Sequence, residues 1–302
     1  KVYELGSHDR QLSTRFTKAL GTLAADIREE EIIKVYGIDA PYYYLTESLC
    51  WPILEEIIKS KLMTEPMEVN ERMRELSLKM PVGSTVLTVV RLVEQMALYY
   101  NQTKSIGTLK LNTPEEYVQQ YVNEYYLMDM FYRRALEAYH ELVTLDIPIE
   151  AVINEAKRQL DQEYAKMANV MNLEWLTCVK EKGEAFRGVT LGRQQHFYRT
   201  EGDGTVKQVV IVSDALRYEV AVELMQQLAK EKHIATLTPY LAMLPTETKY
   251  CKPALLPHQS LELQGTDMQV DGIVLASTEQ RSAHLCKYKE GAICMRYEEV
   301  MN

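Results

Sequence analysis

A helical first half joined to the opening strands and helices of a parallel α/β sheet is the fold class that the sequence predicts, on three observations. Apolar residues recur at helical spacing almost without interruption from residue 10 to residue 182. Residues 208–223 (QVVIVSDALRYEVAVE) then place four β-branched apolar residues, Val209, Val210, Ile211 and Val212, directly before Ser213, Asp214 and a helix start. A short apolar run of that kind reads as a strand buried on both faces. Two more short runs follow, at 234–237 and within 271–277, with helical patterns between and after them. Strand, helix, strand, loop, strand, helix is the grammar of a parallel sheet.

In the first half, Leu12, Phe16, Leu20, Leu23 and Ile27 predict a helix over 10–33, interrupted at 36–44 where Gly37 and Pro41 punctuate. A second helix is expected from Thr46 to Leu62 on Leu54, Ile57, Ile58 and Leu62, with Pro52 in its first turn or at a kink. A third is expected over 65–80. Residues 82–90 have strand-like β-branched content, but Val86, Val89, Val90 and Val93 also suit a helix continuing to Tyr100, which is the preferred reading. Thr113-Pro114-Glu115-Glu116 is a helix start, with a cap, a proline and acids against the dipole. It opens the segment to Thr144 that carries Tyr117, Tyr121, Tyr125, Tyr132 and Tyr139. Tyrosines so spaced could form a base-stacking platform, but burying rings in a bundle with hydroxyls at the rim is the more economical reading. Residues 149–182 predict one more helix with a solvated charged face.

Residues 183–207 contain five glycines and lose the helical period, so a helical domain is placed at 1–187 and an α/β domain at 188–302. Ahead of Asp214, Leu216, Val220, Leu224 and Leu228 lie four apart and predict an amphipathic helix. No glycine separates strand from helix, which excludes a dinucleotide fingerprint and a P-loop. Side chains at the carboxyl end of such a strand open into the ligand crevice of an α/β sheet, although Ser or Asp at this junction also serves as an N-cap.

The five cysteines are scattered without a CxxC pair, which fits reduced thiols and a cytoplasmic protein and argues against a zinc ribbon. No apolar window is long enough for a membrane helix, and the first residues do not form a signal peptide. A net charge of -9 opposes non-specific nucleic-acid binding through phosphates, yet leaves room for a phosphorylated substrate neutralised locally by a metal ion. The chain starts at Lys1 and stops in a helical pattern, which reads as an excised piece.

Two stretches in order, VVIVSDALRYEVAVEL and LPTETKYCKPALLP, closely resemble the PglZ family, the alkaline-phosphatase-like component of bacterial BREX phage-resistance systems. Glu174-Trp175, Gln195, Phe197 and Tyr198 resemble that family's lead-in to the phosphatase domain. The likeness is strong over 175–257, while the helical half matches by position and helical character. The resemblance implies that Asp214 binds a divalent metal, zinc being the expected ion, and that Thr248 is nucleophile and second ligand, with Thr246 the runner-up. A metal lowers the pKa of a hydroxyl and stabilises phosphoryl charge, and a helix amino end favours both alkoxide and phosphate. Arg217 is a candidate phosphate contact, weighed against a structural ion pair with Glu219 or a later acid. The superfamily completes its metal sites with further Asp and His residues. After Thr248, His284 reads as a packing or surface histidine, and His258 and Asp267 as loop residues. The remaining ligands are therefore expected beyond residue 302, and residues 1–302 alone are expected to be inactive.

The implied function is that of a metal-dependent phosphatase or phosphodiesterase in phage defence, acting on a phosphate ester, nucleic acid among the candidates. The alternative is a non-catalytic scaffold whose helical half docks other BREX proteins. No membrane partner is expected.

Overall fold

The computed structural model describes residues 47–78, 83–107, 109–182, 188–202 and 207–300, together with six helical positions between 15 and 35. The face residues of the helix expected over 10–33 and the break at 36–44 lie outside the described residues. The chain divides into two compact units, Lys1–Arg187 and Gly188–Asn302.

The first unit is a helical bundle. Its described helices are α1 (Glu47–Ser60), α2 (Pro66–Ser77), α3 (Thr85–Ile106), α4 (Pro114–Gln120), α5 (Tyr126–Leu142) and α6 (Glu150–Lys182). The β-branched stretch after residue 82 is helix, because Ser84 caps Leu87 and Val86, Val89, Val90 and Val93 all enter the core. Burial on one helical face outweighs the small propensity cost of valine. Thr113 accepts from the Glu116 amide at 3.2 Å, and Pro114 follows it. Helix α3 packs against α2 and α5, and Leu54, Met73, Val90, Ala97, Tyr99 and Leu160 share one core.

Residues 121–125 between α4 and α5 form a π turn. Such a turn inserts one residue into an α-helix and advances every later side chain by about 100°. The tyrosines of this segment are structural: Tyr117 and Tyr125 are buried, and the Tyr117 hydroxyl donates to the Leu109 carbonyl at 2.9 Å. Tyr121 and Tyr164 donate to the two oxygens of Asp129 at 2.6 and 2.8 Å, and Tyr132 donates to Asp161 at 3.1 Å. Tyr132 is also stacked on Tyr164, so these rings face one another rather than a base.

The second unit has few strands, in small sheets, and its buried hydrophobics are Val222, Tyr250, Ala254, Val270 and Leu275. Strands β1 (Gly192–Arg193) and β2 (Tyr240–Leu241) pair in parallel. Strands β3 (Leu261–Gln264), β4 (Asp267–Val270) and β5 (Ile273–Val274) form an antiparallel sheet. The helices are α7 (Tyr218–Lys230), α8 (Thr248–Ala254), α9 (Thr278–Cys286) and α10 (Tyr297–Val300).

Three strand expectations are corrected. Residues 209–212 have no ladder partner, and their side chains are exposed, Val209 to 81% and Ile211 to 84%. A strand buried on both faces needs neighbours at both edges, and none of the described strands lies beside it. The run at 234–237 is likewise unpaired, with Ile234 fully exposed and the strand falling at Tyr240–Leu241. The run within 271–277 contributes β5, but in antiparallel pairing. Asp271 and Gly272 both take positive φ (50° and 79°), and a two-residue turn of that type returns the chain antiparallel to β4. Asp267 accordingly sits in a strand, not a loop. Helix α7 forms as expected, but it buries Glu219 and Val222 while Leu216 and Leu224 are exposed. The leucine face has no sheet among the described residues to cover it.

Candidate metal and phosphoryl-transfer site

Asp214 lies in a turn four residues ahead of α7, so it is not the cap of that helix; Arg217 holds that position. The turn is strained, since Ala215 has φ 56°, a region in which a side chain costs about 1 kcal/mol or more. The Ala215 amide donates to Asp214 Oδ1 at 3.0 Å, which fixes the carboxylate.

Thr248 is the first residue of α8 and is reached through a turn in which the Leu244–Pro245 peptide is cis. Its hydroxyl donates to both Asp214 oxygens, with Oγ1 at 3.2 Å from Oδ1 and 3.1 Å from Oδ2. Residues 34 apart in sequence are thus brought together at an exposed surface. Thr246 is exposed in the turn before the helix, and no hydrogen bond links it to Asp214. Helix α8 is only seven residues long, so the dipole argument adds little and the Asp214 contact is what distinguishes Thr248.

Arg217 pairs with Glu219 at 2.5 Å; Glu219 is fully buried, whereas the Arg217 side chain is 54% exposed. The structural ion pair weighed from the sequence is therefore present, and its guanidinium keeps an open side. Lys249 adds a second cation beside Thr248, with its ammonium 4.5 Å from the centre of the Tyr250 ring. Contact with Tyr250 raises the Lys249 pKa, burial opposes this, and Glu247 adds to the rise.

Oxygen ligands of one divalent ion, each about 2 Å from it, lie roughly 3 to 4 Å apart. The Asp214 and Thr248 oxygens meet that spacing and fit two positions of a metal site. They do not complete it, and among the described residues no group of three or more His, Cys, Asp or Glu could hold a metal. His284 is buried in α9, its Nε2 2.7 Å from the Pro257 carbonyl, and His258 Nδ1 lies 2.7 Å from the Leu256 carbonyl. Both histidines secure backbone.

Residues 194–302 match the BREX system PglZ alkaline phosphatase-like domain family. This part of the chain is PglZ-like. The chain is 43% identical over 93 residues to the alkaline phosphatase-like protein BrxZ of Escherichia coli O9:H4 (strain HS), covering 29% of this chain and 11% of that protein. It is 26% identical over 194 residues to the alkaline phosphatase-like protein PglZ of Bacillus cereus (strain H3081.97), covering 62% of this chain and 22% of that protein. The second match is longer than the PglZ-like unit, so it reaches into the helical unit as well. The matched segments span less than a quarter of either relative. No solved structure matches the chain. No helix among the described residues is long and apolar enough to cross a membrane.

Sequence reasoning missed Gln194, whose side chain bonds backbone on either side of Thr248, at Met243 and at Cys251. The lead-in QQHFY drew attention to its neighbour Gln195 instead. A signal was available in the pair of glutamines directly after Gly192-Arg193, a position from which one carboxamide faces the next strand.

Proposed function

We propose that the PglZ-like unit carries part of the catalytic centre of a metal-dependent phosphatase or phosphodiesterase of a BREX phage-defence system. The observation that carries this reading is the Thr248 hydroxyl donating to Asp214. Thr248 Oγ1 is the nucleophile: it forms the new bond to phosphorus as the ester bond to the leaving oxygen breaks, its proton passing by way of Asp214 to the leaving oxygen. Water then attacks the phosphothreonine phosphorus, releasing the phosphate product and restoring the Thr248 hydroxyl. Asp214 holds the hydroxyl proton and orients the lone pairs of Oγ1 before attack. Arg217 presents the open side of its guanidinium to a phosphoryl oxygen while Glu219 fixes the other side. When bound, a divalent ion, zinc in the first instance, supplies charge stabilisation and lowers the pKa of the hydroxyl. Asp214 and Thr248 would hold it in part, so residues 1–302 alone are not expected to turn over substrate.

The test is hydrolysis of bis(p-nitrophenyl) phosphate by the full-length protein with zinc added, and then with a chelator. Chelation is expected to remove the activity, and Asp214→Ala to lower it by about 10³-fold or more. Equal rates for Asp214→Ala and the native protein would sink the assignment.

A second reading, a scaffold docking other BREX proteins, is favoured by Val170, Leu173 and Leu176, which are exposed along α6 of the helical unit. Replacing Leu173 and Leu176 by lysine is expected to lose capture of BREX partners. Unchanged capture would count against this face.

A further inference from the structure

The turn that presents Thr248 begins at Met243 and is secured at Cys251 in α8, and one side chain outside it touches both places. Gln194, directly after β1, accepts from the Met243 amide through Oε1 at 3.1 Å. Its Nε2 donates to the Cys251 carbonyl at 3.2 Å. We infer that Gln194 is the positioning residue of this turn, a carboxamide clamp that holds Thr248 at the distance from Asp214 at which the two act together; this deepens the proposed function and rests on it.

The chemistry selects glutamine. A backbone amide only donates and a backbone carbonyl only accepts, so the bridging group must present one acceptor and one donor side by side, as a primary amide does. The two backbone partners also fix which way the amide faces. A carboxylate would keep the first bond and lose the second.

The neighbourhood keeps Gln194 in register. Gly192 pairs with Tyr240 and Arg193 with Leu241, so Gln194 follows alongside the strand that leads into the turn. A Cβ at Gly192 would lie 2.7 Å from the Tyr240 ring, so only glycine lets the two segments approach this closely. The Tyr240 hydroxyl donates to Glu201 Oε1 at 2.8 Å and lies 2.9 Å from Thr200 Oγ1, tying the far end of the same segment to β2. Inside the turn the Cys251 thiol, its pKa pushed up by burial, points at the Met243 and Pro245 carbonyls, each at 3.6 Å. The turn is therefore closed from within by a weak donor and from outside by the stronger carboxamide.

Amide hydrogen exchange and carbonyl carbon shifts, both resolved by residue by NMR in the 302-residue chain, test the clamp without any turnover. Gln194→Met keeps the length and removes both polar atoms, so the Met243 amide should exchange about tenfold faster and the Cys251 carbonyl carbon, its donor lost, should shift upfield, while the amides of β3 and β4 keep their native rates. Gln194→Glu keeps the acceptor, so Met243 should stay protected while the Cys251 carbonyl carbon, having lost its donor, shifts upfield. In the full-length protein, Gln194→Met should lower kcat about tenfold with KM unchanged, the mark of a misplaced nucleophile. Native exchange at Met243 in Gln194→Met overturns the clamp; if that variant does not fold, an unmoved Cys251 carbonyl resonance in Gln194→Glu does so. Native hydrolysis by Asp214→Ala overturns the catalytic reading instead and leaves the exchange result standing.

Discussion

Thr248→Val is expected to lower phosphodiester hydrolysis by the full-length protein by about 10⁴-fold, while Thr248→Ser stays within roughly tenfold of the native rate. Valine preserves the branched shape and removes the oxygen that donates to Asp214 at 3.1 and 3.2 Å. Serine restores that oxygen. Both substitutions fall on an exposed residue at the start of a helix, where a change of this size leaves stability within about 0.5 kcal/mol. Loss of rate is then a statement about chemistry. Thr246→Val is the internal control and should leave the rate within about threefold, because its hydroxyl is not bonded to Asp214. If Thr246→Val were the damaging change and Thr248→Val harmless, the two threonines would have to exchange roles.

Leu54→Ala should destabilise the helical unit by about 2 to 5 kcal/mol, the range for emptying a leucine site in a packed core. Leu54 is completely buried on α1, within the cluster that includes Met73, Val90 and Leu160. Urea denaturation followed by far-ultraviolet circular dichroism reports mainly on this unit, because most of the helix lies in it. Leu145→Ala, at a 40% exposed position, is the control and should shift the curve by no more than about 0.5 kcal/mol. A shift at Leu54 no larger than that at Leu145 would mean that the bundle is not the close-packed body described above.

The helices were legible because periodicity reports burial directly. Residues 47–60, 114–142 and 150–182 each carry an apolar face that the fold places in the core or against its edge. Even the valine-rich stretch after residue 82 could be assigned, since its spacing outweighed its composition. The π turn at 121–125 was not legible, because one inserted residue leaves the same tyrosine spacing on either side. The strands failed for a different reason. Apolar β-branched runs identify a tendency to extend, whereas a strand exists only with a partner, and residues 209–212 have none among those described. The Asp-Gly pair at 271–272 was a sound hairpin signal, but it was read within a parallel grammar that a two-residue turn cannot serve. Asp214 and Thr248 were named from resemblance to a family motif. Their contact could not be derived from spacing, since 34 residues of intervening chain give no geometric constraint. Gln194 was hidden because its partners are backbone atoms, which leave no pattern in sequence.

The exposed run at 209–212 also bears on how residues 1–302 behave as a colloid. Four consecutive uncharged β-branched residues with no ladder partner among the described residues form a template to which a second molecule can add a strand. What restrains this is the net charge of -9, with Lys207 and Asp214 as the nearest charged gatekeepers on either side. Like charges repel over about 10 Å at 0.1 M salt and over about 3 Å at 1 M. Self-association of residues 1–302 through this run is therefore expected to rise between about 0.1 M and 1 M salt, and light scattering that stays flat over that range would count against it.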